Sequence, residues 1–111
     1  MRKNLQKLNN IDDMKRLIKR NNMVLLYFST VNCGICTTLL PKIDEMLLTY
    51  PNISAFHVSI DELPAASGEF SIFTVPSILV YIEGKEVIRE ARFISMDTLE
   101  DKIQKYYNMI F

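Results

Sequence analysis

Hydrophobic positions along the chain alternate between helical and strand-like spacing. Ile11, Met14, Leu17 and Ile18 recur at the spacing of one helical face up to about Lys19. Asn10 is placed to cap this helix, and Asp12 and Asp13 fall in the first turn, where the helix dipole favours negative charge. Met23 to Phe28 is instead a continuous apolar run, as expected of a strand covered on both faces. After Ser29 to Asn32, residues Leu39, Leu40, Ile43, Met46 and Leu47 return to helical spacing. They predict a helix from about Cys33 to Thr49, kinked by Pro41. Ile53 to Ile60 reads as another strand, followed by a polar segment with a helical turn near Pro64 to Ser67. Ser77 to Ile82, a tight turn at Glu83-Gly84, and Lys85 to Phe93 make an antiparallel hairpin. Ser95 or Asp97 then caps a last helix carrying Leu99, Ile103, Tyr106 and Tyr107. The order is (β)αβαβαββα, which predicts an α/β fold. Its mixed sheet is parallel in the first half, antiparallel in the second, and flanked by helices on both faces.

Composition narrows the function. With 111 residues, 49% of them hydrophobic, the chain suits one domain over 1–111, and no linker or repeat divides it. Thirteen basic and thirteen acidic residues cancel and lie in mixed groups, so neither nucleic acid nor an anionic membrane is an expected partner. No stretch approaches the roughly 20 apolar residues of a membrane span. Met1-Arg2-Lys3 is basic, but Asn4 to Asn10 supplies no apolar core for an export signal, so the expected location is the cytoplasm.

Two cysteines, Cys33 and Cys36, enclose Gly34 and Ile35. In a reducing compartment such a pair rarely serves as a permanent staple, and so small a loop stabilises little. Redox chemistry, a share of a metal site and coincidence are the remaining readings. Zinc usually wants four protein ligands, and beyond the thiols the chain offers one histidine, His57, plus carboxylates; no metal site and no cofactor are expected. The placement favours redox chemistry, because the pair falls where a buried strand ends and a helix begins. Unpaired amides and the positive dipole end there favour a thiolate over a thiol, whose free pKa is about 8.5. Cys33 is the expected nucleophile. One helical turn brings Cys36 to the same face, within reach of a mixed disulfide on Cys33, as the resolving thiol. Gly34 adds no side chain to obstruct a client polypeptide.

At these residues the chain resembles the thioredoxin family, and the resemblance covers nearly its whole length. Val24 to Phe28, Cys33-Gly34-Ile35-Cys36, Pro41, Ile60-Asp61, Thr74-Val75-Pro76-Ser77 and the turn at Gly84 stand as that family places them. The resemblance implies a thioredoxin fold, a cis Val75-Pro76 bond, and a client strand pairing with the backbone of Val75 beside Pro76. With Gly34 and Ile35, these make the expected client-binding surface. It also implies a monomeric protein-disulfide reductase that acts on disulfide-containing client proteins. Its electrons would come from a reductase or a low-molecular-weight thiol.

Several positions depart from the family pattern. Asn32, Ile35 and Thr37 stand where thioredoxins carry Trp, Pro and usually Lys or Arg. Tyr27 replaces a buried aspartate, His57 replaces its lysine companion, and Arg92 replaces a glycine near the end of the fifth strand. The usual proton acceptor for the resolving cysteine is therefore missing. His57, with an ordinary pKa near neutrality, is the candidate to take its place, against the alternative of a half-buried strand histidine without catalytic part. Two other functions compete. A glutaredoxin-like reductant shares the CxxC and Thr-Val-Pro segments, but here a βα unit precedes Cys33 and no Gly-Gly follows the hairpin. A non-enzymatic binding module would keep the fold and use the groove beside Pro76.

Overall fold

The computed structural model describes residues 4–111. The basic Met1-Arg2-Lys3 segment lies outside them. The chain runs β1 (Gln6–Leu8), α1 (Ile11–Arg20), β2 (Met23–Ser29), α2 (Gly34–Leu47), β3 (Ser54–Ser59), α3 (Ala65–Glu69), β4 (Ser77–Ile82), β5 (Lys85–Ala91) and α4 (Met96–Ile110). One five-stranded sheet has the order β1-β3-β2-β4-β5. β1, β3 and β2 are mutually parallel, whereas β4 is antiparallel to both β2 and β5.

The apolar run of β2 follows from its central place, since all seven residues are buried. Leu25 and Tyr27 face a core completed by Leu39, Ile43 and Leu47 of α2 and by Leu99 and Ile103 of α4. Val24, Leu26 and Phe28 face the opposite core, with Met14 and Ile18 of α1 and Ala66 of α3. Alternation along a strand thus serves two apolar layers at once.

The boundaries that differ from expectation have local causes. Cys33 is extended and caps α2, so the helix begins one residue later, at Gly34. At the other end Leu48, Thr49 and Tyr50 donate to Glu45, Met46 and Leu47, and these tighter three-residue bonds end the α-helix before Thr49. Ile53 donates to Tyr50 within a turn, which delays β3 to Ser54. β5 stops at Ala91 instead of Phe93 because Arg92 takes a left-handed backbone, φ 66°. The hairpin turn places both Glu83 and Gly84 at positive φ, the requirement of the two-residue turn that matches strand twist. Ser95 is the residue that caps α4, accepting from the Thr98 N–H at 3.3 Å, and Asn10 caps α1 through the Asp13 N–H at 2.9 Å.

Candidate active site

The β2 to α2 loop and the start of β4 meet at one end of the sheet. Antiparallel pairing sets Phe28 opposite Ser77, so the chain leaving β2 toward Cys33 lies beside the Val75-Pro76 segment entering β4. The Val75-Pro76 peptide bond is cis. Val75 and Cys33 both pack, partly buried, against the core beneath α2 and α4. The loop before Cys33 is tied down by Asp61, whose carboxylate accepts the Val31 N–H at 2.6 Å. Pro76 accepts the Arg92 N–H at 2.8 Å, which fixes the position where the family has glycine against the same loop.

Cys33 and Cys36 are joined by a disulfide, with Cα atoms 5.2 Å apart. The two sulfurs differ in environment. Cys33 is partly exposed at the helix cap, whereas Cys36 is 3% exposed. The Cys36 N–H donates to the Cys33 sulfur at 3.1 Å, an interaction that favours charge on that sulfur once the bond is reduced. Gly34 is exposed, and a Cβ added there would meet nothing within 4 Å. Ile35 is 51% exposed. A shallow groove runs from Gly34 and Ile35 past Leu39 to Ile94, and a second lies between Thr30, Ile60, Phe73 and Val75.

Tyr27 and His57 are cross-strand partners on β2 and β3, sharing the face under α2, with ring centroids 5.3 Å apart. The Tyr27 hydroxyl donates to the Cys36 carbonyl at 2.7 Å. Burial pushes the phenol's pKa far above its ordinary value of 10, so it stays protonated at any physiological pH. His57 is half-buried, and its Nε2 lies 2.6 Å from Ser29 Oγ. Burial, reinforced by Lys7 across the β1–β3 ladder, lowers its pKa below the ordinary 6.5, while Glu62 opposes the shift. Among the described residues no hydrogen bond joins His57 to either cysteine.

Three residues of this region lay outside the sequence reading of the site. Ser29 reads as the start of a link, yet it ends β2 buried beside His57; the signal was that polar Ser29 continues the alternation of Leu25 and Tyr27. Asp61 stands where the family places it but carried no assigned contact. Phe73, 93% exposed, gave no periodic signal because it sits in a loop.

The thioredoxin family model matches residues 5–105. The chain is 34% identical over 107 residues, 96% of each, to the thioredoxin-like protein YdfQ of Bacillus subtilis. Among solved structures, Plasmodium falciparum thioredoxin superposes with a TM-score of 0.84 at 24% identity, covering 92% of this chain and 99% of that one. Oxidized mitochondrial thioredoxin 3 of Saccharomyces cerevisiae gives 0.82 at 23%, covering 91% and 94%. The fold is therefore the thioredoxin fold. The chain belongs to the thioredoxin family, and membership together with the linked cysteine pair supports a thiol-disulfide oxidoreductase in general terms.

Proposed function

We propose that this protein reduces disulfides of client proteins by dithiol-disulfide exchange, acting as a single domain and a monomer in the cytoplasm. The observation that carries the reading is the asymmetry of the pair: a partly exposed Cys33 sulfur receives an amide from a buried Cys36. In the reduced protein the Cys33 thiolate attacks one sulfur of the client disulfide, and the other client sulfur leaves with the electron pair and takes up a proton. Cys36 then loses its proton and attacks Cys33, releasing the second client thiol and restoring the Cys33–Cys36 disulfide. Two electrons have passed to the client. A reductase dithiol or two equivalents of a low-molecular-weight thiol return them.

The client segment lies along Gly34 and Ile35, which are exposed, and Val75, which is half-buried, beside the buried Pro76. His57 accepts the Cys36 proton. Its lowered pKa supports that role only by keeping the imidazole neutral near neutral pH, able to accept a proton though a weaker base than a free imidazole, and Ser29 at 2.6 Å fixes its orientation.

The test is turnover of an insulin-type disulfide with a chemical dithiol as electron source. Wild type should accelerate it, and Cys33→Ser combined with Cys36→Ser should give the uncatalysed rate. Retention of acceleration by the double variant would reject the reading; no acceleration by wild type, with the biological role kept by the double variant, would favour the binding module.

A further inference from the structure

Cys36 is gripped through both of its backbone polar groups. Its N–H donates to Cys33 Sγ at 3.1 Å, and its carbonyl accepts from the Tyr27 hydroxyl at 2.7 Å. The second bond comes from the sheet, not from the helix. Tyr27 itself has little freedom to wander: it is fully buried, hydrogen-bonded in the sheet opposite His57 and Ile78, and packed against the His57 ring.

The start of α2 needs an external tether. Pro41 lacks an N–H, so the Thr37 carbonyl, next to that of Cys36, has no ladder donor four residues on. The Thr37 and Thr38 hydroxyls bond back to the carbonyls of Cys33 and Gly34 at 3.3 and 3.2 Å, an arrangement that bends helices more than it stiffens them. Tyr27 holds this weakened turn to the sheet at the residue that bears the buried sulfur.

We propose that Tyr27 is a positioning residue for the second exchange step, its hydrogen bond to the Cys36 carbonyl fixing where the resolving thiol stands relative to Cys33. The inference rests on the exchange reading above. In that step the Cys36 thiol yields its proton, its sulfur bonds to Cys33 Sγ, the Cys33–client bond breaks, and the client sulfur leaves with the electron pair and is protonated. Tyr27 neither gives nor takes a proton in this balance. Because the phenol stays protonated, it remains a donor throughout the pH range in which the thiols react. Displacement at a disulfide sulfur requires alignment, and a small displacement of the attacking group costs rate steeply.

The discriminating variant is Tyr27→Phe, which keeps the ring and deletes the hydroxyl. Single-turnover kinetics with a disulfide peptide, quenched with acid, should follow formation and decay of the Cys33 mixed disulfide from about pH 5.5 to 8.5. Formation should stay within about twofold of wild type, whereas decay should slow about tenfold, a cost typical of a slightly misplaced group. The shape of the pH profile for decay should be unchanged. Unaltered decay, equal slowing of both steps, or an altered pH profile would overturn the proposal. If Tyr27→Phe fails to fold, NMR of the reduced wild type decides: the Tyr27 hydroxyl proton should exchange slowly with water, and rapid exchange would show that the tether is absent when it is needed. A protein that forms no mixed disulfide, even as Cys36→Ser, would remove the exchange reading and this proposal with it. Normal formation with unaltered decay in Tyr27→Phe would remove this proposal alone.

Discussion

The Arg92 N–H donates to the Pro76 carbonyl at 2.8 Å, and this bond holds a left-handed arginine, φ 66°, one residue past the end of β5. A side chain at that backbone conformation costs about 1–2 kcal/mol relative to the right-handed region, a cost glycine escapes. Arg92→Gly should therefore stabilise the protein by about 0.5–1 kcal/mol after the added freedom of the unfolded chain is counted. Urea denaturation checks it, and a loss of stability would show that the arginine side chain contributes more than its backbone costs.

Cys33 and Cys36 should differ in reactivity once reduced. Cys33 is partly exposed and faces an amide, whereas Cys36, in the first turn of α2, is 3% exposed. With limiting alkylating reagent at neutral pH, Cys33 should be labelled at least about tenfold faster, because access and thiolate character both favour it. Equal rates would remove the assigned roles.

His57 makes stability depend on pH in a definite direction. Its pKa is lowered in the folded state, so the unfolded chain binds the proton more tightly, and stability rises with pH where the two states differ. The contribution of neutral His57 is fully present above the unfolded value of about 6.5 and is lost as pH falls from there through the folded value. Denaturation midpoints measured between pH 5 and 8 should fall more steeply with acid in wild type than in His57→Gln. Parallel pH dependence in the two proteins would contradict the burial of a neutral imidazole.

The surface around the cysteines predicts poor service by a common electron donor. Asn32, Ile35 and Thr37 stand where thioredoxins usually present Trp, Pro and a basic residue. Turnover with a typical flavoprotein thioredoxin reductase should fall more than about tenfold below that of an ordinary thioredoxin, equivalent to about 1.4 kcal/mol of lost docking. A chemical dithiol should still reduce the pair. Comparable turnover with the reductase would show that docking ignores these three positions.

Much of this architecture is legible in residue order, and the parts that are not share a cause. The apolar run in β2 and the spacing of Leu39, Ile43 and Leu47 report burial directly, because burial is what those residues need. Cys33-Gly34-Ile35-Cys36 is legible for the same reason, its placement at a strand end being local. For β1 only its place at the head of the order is legible, not its bounds: Gln6 and Lys7 are exposed, and the strand is defined by backbone pairing with β3, which no side chain announces. The contacts of Tyr27, Ser29 and His57 are hidden likewise. A hydroxyl or imidazole shows a capacity for hydrogen bonding, but its partner follows from the register of β2 against β3 and the height of α2 above them. The end of β5 depended on one backbone angle at Arg92, which apolar patterning does not encode.

The central claim is that Cys33 carries the client and Cys36 releases it. It is tested most directly by reacting reduced Cys36→Ser and reduced Cys33→Ser with a disulfide-bonded protein substrate at neutral pH, then locating the mixed disulfide by peptide mapping. Cys36→Ser should accumulate a long-lived adduct on Cys33, wild type should pass through the same adduct and end with the Cys33–Cys36 disulfide, and Cys33→Ser should form almost none. Adducts on Cys36 in Cys33→Ser at a rate matching the other variant, or no adduct with either, would contradict the account.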